Sequence, residues 1–250
     1  MVPVRLTGPR LAIREFHQTP EDADALHAVF GDPEATRFLP FEPRDRETCA
    51  DQIALFLEEA EKEEREVYRL AVTRLADADD PARAVPIGSA ALGLAPNRAA
   101  SLGYALRRDV WGLGYAGEVV GLLCGLAFGT LGLHRLEART DVGNTASVRV
   151  LTRAGFRLEG RVRHDFPRHD GWRDAYQYAL LADDVRPGAG PGSAAGPAVR
   201  GRAVQGGITP PRSGGEPDVG RLAFLTGFRG RKDPSDEPEP RPTRGTESRP

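Results

Sequence analysis

Residues 107–118 read RRDVWGLGYAGE and place Gly112, Gly114 and Gly117 between a predicted strand and a predicted helix. At such a junction, unpaired backbone N–H groups and the positive end of the helix dipole point at the same place. Glycine has no side chain, so a ligand can approach the main chain closely. These features are typical of a site for a pyrophosphate group.

The segments on either side of this turn predict a mixed sheet with helices on its faces. Upstream, short segments of alternating apolar and polar residues indicate a meander of antiparallel strands, with two helices after the first strand. Downstream, strands alternate with helices, which predicts an α/β architecture. The predicted strands are 10–16, 68–75, 85–94, 101–107, 134–140, 156–162 and 172–181, and the predicted helices are 21–30, 45–64, the segment from the glycine turn to about 131, and 145–154.

The composition changes near residue 186. Residues 186–250 contain 13 of the 29 glycines and 11 of the 21 prolines in about a quarter of the chain. Such a composition is typical of a disordered segment. We therefore expect one folded domain over 1–185 and a disordered tail over 186–250. The apolar cluster Leu222–Phe228 is either a short docking motif or a segment without function.

The charge divides at the same place. Residues 1–185 hold 23 Lys and Arg against 29 Asp and Glu, whereas the tail holds 11 against 7. A nucleic-acid-binding body would be basic, so we expect no direct nucleic-acid partner. Cys49 and Cys124 match no metal spacing and indicate two buried thiols in a reducing compartment. The longest uncharged run, Val119–Leu133, is too short to cross a bilayer and no leader opens the chain, so we expect a cytoplasmic protein without a membrane partner.

Two other interpretations of the glycine turn need weighing. The spacing of Gly112, Gly114 and Gly117, with Glu137 twenty residues beyond, also fits a dinucleotide-binding fingerprint. That fold needs further strand–helix–strand units after the turn, and residues 118–185 provide too few of them. The turn also follows a meander and not the opening strand. A tight turn without any ligand is the simpler alternative.

The helix after the turn carries a stripe of glycines at every fourth position. These are Gly117, Gly121, Gly125 and Gly129. Each costs a helix interior about 0.8–1 kcal/mol relative to alanine, so packing must recover that free energy. We expect the stripe to allow a close approach of the helix backbone to the sheet. A membrane dimer stripe of small residues is disfavoured, because the run is too short.

Seven short segments follow one another in a distinctive order and spacing. They are Gly103-Tyr104-Ala105-Leu106, Trp111-Gly112-Leu113-Gly114-Tyr115-Ala116, His134-Arg135-Leu136-Glu137-Ala138, Asn144-Thr145-Ala146-Ser147-Val148, Gly155-Phe156, Glu159-Gly160 and Trp172-Arg173-Asp174. In this register they resemble the GNAT superfamily of acetyl-CoA-dependent N-acetyltransferases, and most of all its branch of ribosomal-protein N-terminal acetyltransferases, the Rim type. The resemblance covers about residues 5–185.

The resemblance implies a GNAT fold, with a mixed, mostly antiparallel sheet that splays between strands 101–107 and 134–140 to admit the pantetheine arm of acetyl-CoA. The superfamily's turn usually begins with Gln or Arg, and an aromatic residue such as Trp111 is common there in the Rim-like branch. No metal is implied. The implied cofactor-binding residues are Arg107, Trp111, Gly112, Leu113, Gly114, Tyr115, Ala116, Asn144 and Ser147.

Acetyl transfer needs a neutral amine, a dipole aimed at the thioester oxygen and a proton for the departing thiolate. By resemblance, a backbone N–H near Leu106 supplies the dipole. We expect Ser147 to supply the proton and Asn144 to bind pantetheine amides, although both residue types also suit the start of a helix. The base stays open among His164, Asp165, His169 and Asp170, a cluster for which a metal site is the less favoured alternative.

The acceptor is predicted to be a protein or peptide N-terminal amine. Deprotonating an α-amino group with a pKa near 8 costs about 1.4 kcal/mol at pH 7, against about 4.6 kcal/mol for a lysine-type amine. The acidic body would also suit a small cationic acceptor such as a polyamine or an aminoglycoside. A non-catalytic acyl-CoA sensor is the alternative from another class. The chain is expected to be a monomer or a homodimer.

Overall fold

A computed structural model of the chain describes residues 3–77, 79–80 and 83–184. The predicted tail over 186–250, including the cluster Leu222–Phe228, lies outside the described residues.

Eight strands of the described residues form one sheet, in the spatial order β1-β2-β3-β4-β5-β6-β8-β7. Neighbouring strands are antiparallel except for β5 and β6, which are parallel. The prediction of a mixed, mostly antiparallel sheet is therefore confirmed. The strands are β1 (Arg5–Thr7), β2 (Leu11–Glu15), β3 (Val67–Arg74), β4 (Pro86–Ala95), β5 (Ala99–Leu106), β6 (Arg135–Asp141), β7 (Arg157–Arg168) and β8 (Gly171–Leu181).

Three of the helices begin at side chains that accept hydrogen bonds from their first N–H groups. Thr19 accepts a hydrogen bond from the Asp22 N–H, Asp45 from the Thr48 N–H, and Asn144 from the Ser147 N–H. The helices are α1 (Pro20–Phe30), α2 (Pro33–Thr36), α3 (Arg46–Glu61), α4 (Tyr115–Cys124) and α5 (Thr145–Arg153). A π-helical turn, Gly125–Thr130, extends α4 directly.

Helices cover both faces of the sheet. On one face, α4 and α5 bury Val119, Leu123 and Leu151 against strand residues such as Leu136. On the other face, α1 and α3 form a separate apolar cluster that includes Leu26, Val29, Ile53 and Phe56. Burial of these apolar side chains is the main source of the fold's stability.

The sheet opens between β5 and β6. Their parallel pairing joins Ala99 with Arg135, Ala100 with Leu136 and Ser101 with Glu137, and no further pair follows in the described part of the chain. Both strands nevertheless continue, β5 to Leu106 and β6 to Asp141. The predicted splay is present, and the gap widens toward the carboxyl ends of both strands.

The expectation that the glycine stripe approaches the sheet is wrong for Gly117, Gly121 and Gly129. A Cβ atom added at Gly117, Gly121 or Gly129 would meet no atom within 4 Å outside its own helix. The branched residues Val119 and Val120 occupy the core face of α4 instead. A four-residue period places the glycines near one another on a helix, but the period alone does not tell which face is buried. Among the described residues, no helix is long and apolar enough to cross a membrane.

Candidate active site

The glycine turn presents a row of backbone N–H groups. Gly112 and Gly114 have φ angles of +78° and +79°, a conformation that strains any residue with a side chain. Gly114 is the N-cap of α4. Within the described part of the chain, the N–H groups of residues 112–116 have no hydrogen-bond partner. The turn thus offers several donors and a helix N-terminus to an anionic group.

Two predicted cofactor residues at the start of this turn contact protein groups. The Trp111 indole N–H donates to the carbonyl oxygen of Leu106 at 2.8 Å, while the side chain remains 48% exposed. The Arg107 guanidinium pairs with both carboxylate oxygens of Asp109, at 2.6 and 2.9 Å. Trp111 therefore ties the turn to the end of β5, and Asp109 fixes the orientation of the Arg107 guanidinium.

The backbone N–H of Leu106 points into the gap between β5 and β6. The neighbouring Arg107 N–H donates to Ile87 O of β4 at 2.9 Å. Because successive backbone groups of a strand point to opposite edges, the N–H of Leu106 faces away from β4. Its carbonyl oxygen, on the same edge, is the group that accepts from Trp111. The orientation required of a donor to a thioester oxygen is thus present at Leu106.

A cavity of about 80 Å³ occupies the gap. Strand β5 lines one wall and β6 the other, and α5, strands β7 and β8 and the loop after α2 complete the lining. Sequence reasoning identified Asn144, Ser147 and Asp165 of this set and missed the others. The lining residues are Phe38, Leu39, Pro40, Leu102, Gly103, Tyr104, Ala138, Arg139, Thr140, Asp141, Asn144, Ser147, Leu151, Asp165, Phe166 and Ala175.

Ser147 lies in this cavity against a tyrosine. Its Oγ is 2.9 Å from the phenol oxygen of Tyr104 on β5. Burial raises the pKa of Tyr104, so the phenol is neutral at physiological pH. Asn144 accepts from the Ser147 N–H at 3.1 Å and so caps α5, as the simpler interpretation of this residue requires, while also lining the cavity.

Of the four candidate bases, Asp165 is the one that lines the cavity. Its side chain is 7% exposed and is paired with Arg139. Desolvation raises the pKa of Asp165, and Arg139 opposes that rise. Another buried carboxylate, Asp141, also lines the cavity and accepts from the Gly143 N–H at 2.7 Å.

The remaining candidates have other contacts. His164 stacks on Trp172 with ring centroids 5.9 Å apart, His169 contacts Glu42 at 2.9 Å, and Asp170 pairs with Arg173. In the ranges that the structure describes, no group of three or more His, Cys, Asp or Glu side chains is arranged to hold a metal ion.

Arg168 of β7 fixes the loop that closes one side of the cavity. Its buried guanidinium donates to the carbonyl oxygens of Thr36, Leu39 and Phe41. It also pairs with Glu42 at 2.9 Å. No local pattern predicted this contact, because the donor and the loop are about 130 residues apart in sequence.

A sheet that opens beside a glycine turn with available N–H groups is the arrangement of acetyl-CoA-dependent N-acetyltransferases. A model of the acetyltransferase (GNAT) domain matches residues 10–157, more than half of the chain, and the protein belongs to this family. The chain is 30% identical over 176 residues to an uncharacterized N-acetyltransferase, p20, from Bacillus licheniformis. The aligned region covers 69% of this chain and 93% of the relative.

Solved structures show the same fold at lower identity. RimJ from Mycobacterium smegmatis, in complex with CoA-disulfide, has a TM-score of 0.61 and 20% identity, covering 75% of this chain and 93% of that one. Spermidine N-acetyltransferase from Vibrio cholerae, in complex with CoA and spermine, has a TM-score of 0.60 and 17% identity, covering 71% and 98%. The protein is therefore a GNAT-fold N-acetyltransferase that uses acetyl-CoA.

Proposed function

We propose that this N-acetyltransferase acts on a protein or peptide N-terminal amine, as the Rim-type branch does, with Ser147 as the acid and Asp165 as the base. The observation that carries the proposal is the cavity in the sheet gap. It brings Ser147, Asp165 and residues 102–104 of β5 together around one cavity, two residues before Leu106.

The glycine turn fits the pyrophosphate of acetyl-CoA. The N–H groups of residues 112–116 supply the donors, and Gly112 leaves open space where a Cβ would stand. Arg107 and Trp111 frame the turn, and the amide nitrogen of Asn144, which has no protein partner in the described ranges, can donate to a pantetheine carbonyl. Together with Ser147, these residues form the proposed binding site for acetyl-CoA.

Acetyl-CoA supplies an acetyl group that is activated as a thioester. The Leu106 N–H is proposed to stabilise the negative charge that develops on the thioester oxygen, because it points into the gap with no protein acceptor in the described residues. In the 2.9 Å hydrogen bond between the neutral Tyr104 phenol and Ser147 Oγ, we propose that the phenol donates, so that the serine proton is free to move to the departing sulfur.

Asp165 is proposed to accept the amine proton, directly or through one water. The raised pKa of Asp165 lies closer to the pKa of the amine that gives up the proton. Two carboxylates, Asp141 and Asp165, line the cavity against one guanidinium, Arg139, which is paired with Asp165, and the remaining negative charge favours an acceptor that arrives as a cation. Among cationic amines, an α-amino group loses its proton at the lower free-energy cost, which supports a peptide N-terminus over a polyamine.

The acceptor is tested by thiol release from acetyl-CoA with a panel of N-terminal peptides, polyamines and aminoglycosides. We expect the highest kcat/KM with a peptide. Faster turnover of a polyamine or an aminoglycoside would move the acceptor to the small-molecule class. Tight CoA binding without thiol release from any amine in the panel would support a non-catalytic sensor.

The acid is tested with Ser147→Ala. We expect kcat to fall by about 10²-fold, the usual scale for a lost general acid. Thr145→Ala is the matched control, because Thr145 is an exposed residue of the same helical turn outside the cavity. An unchanged kcat in Ser147→Ala would leave this serine with a structural role only.

A further inference from the structure

The turn between β1 and β2 contacts the glycine turn. Arg10, in that β1–β2 turn, donates from Nη1 to the carbonyl oxygen of Leu113 at 2.8 Å. Its guanidinium carbon also lies 4.7 Å from the centre of the Tyr115 ring. An arginine 103 residues earlier in the chain therefore contacts the main chain of the proposed pyrophosphate site.

Glu118 holds this arginine in place. One carboxylate oxygen accepts from the backbone N–H groups of Arg10 and Leu11, at 2.8 and 2.9 Å. The other accepts from Arg10 Nε at 2.9 Å. The Glu118 side chain is 8% exposed, and a Cβ at Gly8 would lie 2.7 Å from its oxygen. The arginine is therefore fixed at its base although half of its side chain is exposed.

The contact decides which way one peptide unit faces. The Leu113 carbonyl and the Gly114 N–H belong to the same planar trans peptide and point in opposite directions. A hydrogen bond from Arg10 to the carbonyl oxygen therefore turns the Gly114 N–H to the side away from the arginine. Glycine at position 114 permits a wide range of backbone conformations, so the local sequence does not fix this plane by itself.

We propose that Arg10 is a positioning residue for the diphosphate of CoA, which acts by holding the Leu113–Gly114 peptide with its N–H toward the ligand. The proposal rests on the proposed role of residues 112–116 in binding the pyrophosphate. Without Arg10 the peptide can rotate, and a carbonyl oxygen facing the phosphates would repel them.

The experiment compares Kd for CoA, and KM for acetyl-CoA and for acetyl-pantetheine, in the wild type, Arg10→Ala and Glu118→Gln. We expect Arg10→Ala to weaken CoA binding and raise KM for acetyl-CoA by about tenfold or more, the scale of one lost hydrogen bond to a charged group. The kcat at saturation and KM for acetyl-pantetheine, which lacks the diphosphate, should not change. Arg5→Ala, an exposed arginine of the same hairpin, is the matched control.

Glu118→Gln separates positioning from simple charge attraction. Its amide oxygen can still accept from the two backbone N–H groups, but the side chain no longer pairs with the guanidinium. If Arg10 acts by positioning, Glu118→Gln should bind CoA more weakly than the wild type, and this loss should persist at high salt. The loss of affinity in the double variant Arg10→Ala/Glu118→Gln should be smaller than the sum of the losses in the two single variants. Charge attraction predicts tighter binding in Glu118→Gln, because a negative charge near the phosphates is removed.

The outcomes for the two proposals are distinct. A wild-type protein that binds no CoA would remove the proposed pyrophosphate site itself. A wild type that binds CoA, together with an Arg10→Ala variant that binds equally well or a Glu118→Gln variant that binds more tightly, would overturn the role of Arg10 alone.

Discussion

Replacing Gly121 by alanine should stabilise the protein. Gly121 lies inside α4, and an added Cβ would meet no atom within 4 Å outside the helix. Alanine is favoured over glycine in a helix interior by about 0.8–1 kcal/mol, in part because the unfolded chain loses conformational freedom. Since nothing opposes this gain, we expect the free energy of unfolding to rise by about 1 kcal/mol and Tm by about 2–4 °C.

The assay is urea unfolding followed by circular dichroism, with Tm from calorimetry. Gly88→Ala in β4 is the matched comparison, because a Cβ there would lie 2.5 Å from both the Ala105 carbonyl oxygen and the Leu106 side chain. We expect that change to destabilise the protein by about 1–3 kcal/mol, the usual cost of overpacking. The same change from glycine to alanine should therefore raise the free energy of unfolding at Gly121 and lower it at Gly88.

A loss of stability in Gly121→Ala would refute this reasoning. It would mean that the glycines of α4 do meet a neighbour closely, as their spacing in the sequence suggested. Unchanged stability in both variants would equally contradict it, because the two backbone environments could not then differ as described.

Two further predictions concern a buried ion pair and two thiols, of which Cys49 is buried and Cys124 half-buried. Asp22→Ala should lower the free energy of unfolding by about 3–5 kcal/mol, measured by urea unfolding, because it leaves the buried Arg14 guanidinium without its carboxylate. Cys49 and Cys124 should not react with a disulfide reagent at pH 8 until the protein is unfolded. Burial raises their thiol pKa values to about 11 and about 12, so the reactive thiolate is scarce at that pH.

Each of these has a direct control. Glu34→Ala breaks the exposed pair with Arg37, whose charged atoms are 3.9 Å apart, and should change stability by less than about 1 kcal/mol. An equal loss in Asp22→Ala and Glu34→Ala would contradict the argument from burial. For the thiols, labelling of the native protein at the rate of the unfolded chain would show that neither group is shielded.

Much of the fold could be predicted from the sequence, because the relevant signals are local. Alternating strands, the cap at Asn144 and the glycine turn each depend on a few neighbouring residues, and the structure places each of them near the predicted position. The predicted pair of strands at 156–162 and 172–181 corresponds to β7 and β8, although β7 extends to Arg168. Strand ends were less well predicted, because pairing with a neighbour decides where a strand stops.

Local sequence also supplied the resemblance to the GNAT superfamily, which the match to the GNAT domain confirms, and it identified Ser147 as a candidate. It did not identify the Tyr104 hydroxyl beside that serine, nor which of four candidate bases shares its cavity. These facts depend on how far β5 and β6 separate and on where β7 lies across the gap. Sequence spacing carries no information on such distances.

The residues between Trp111 and Ala116 were enough to indicate a turn that could hold an anion, since glycine and a helix start act within one or two peptide units. Tertiary structure alone decided that Arg10, paired with Glu118, donates to the Leu113 carbonyl oxygen and that the glycines of α4 face open space. The physical reason is the range of the interactions. Backbone conformation is set by adjacent residues, whereas the face that a helix buries and the partner that a side chain meets are set by packing between distant segments.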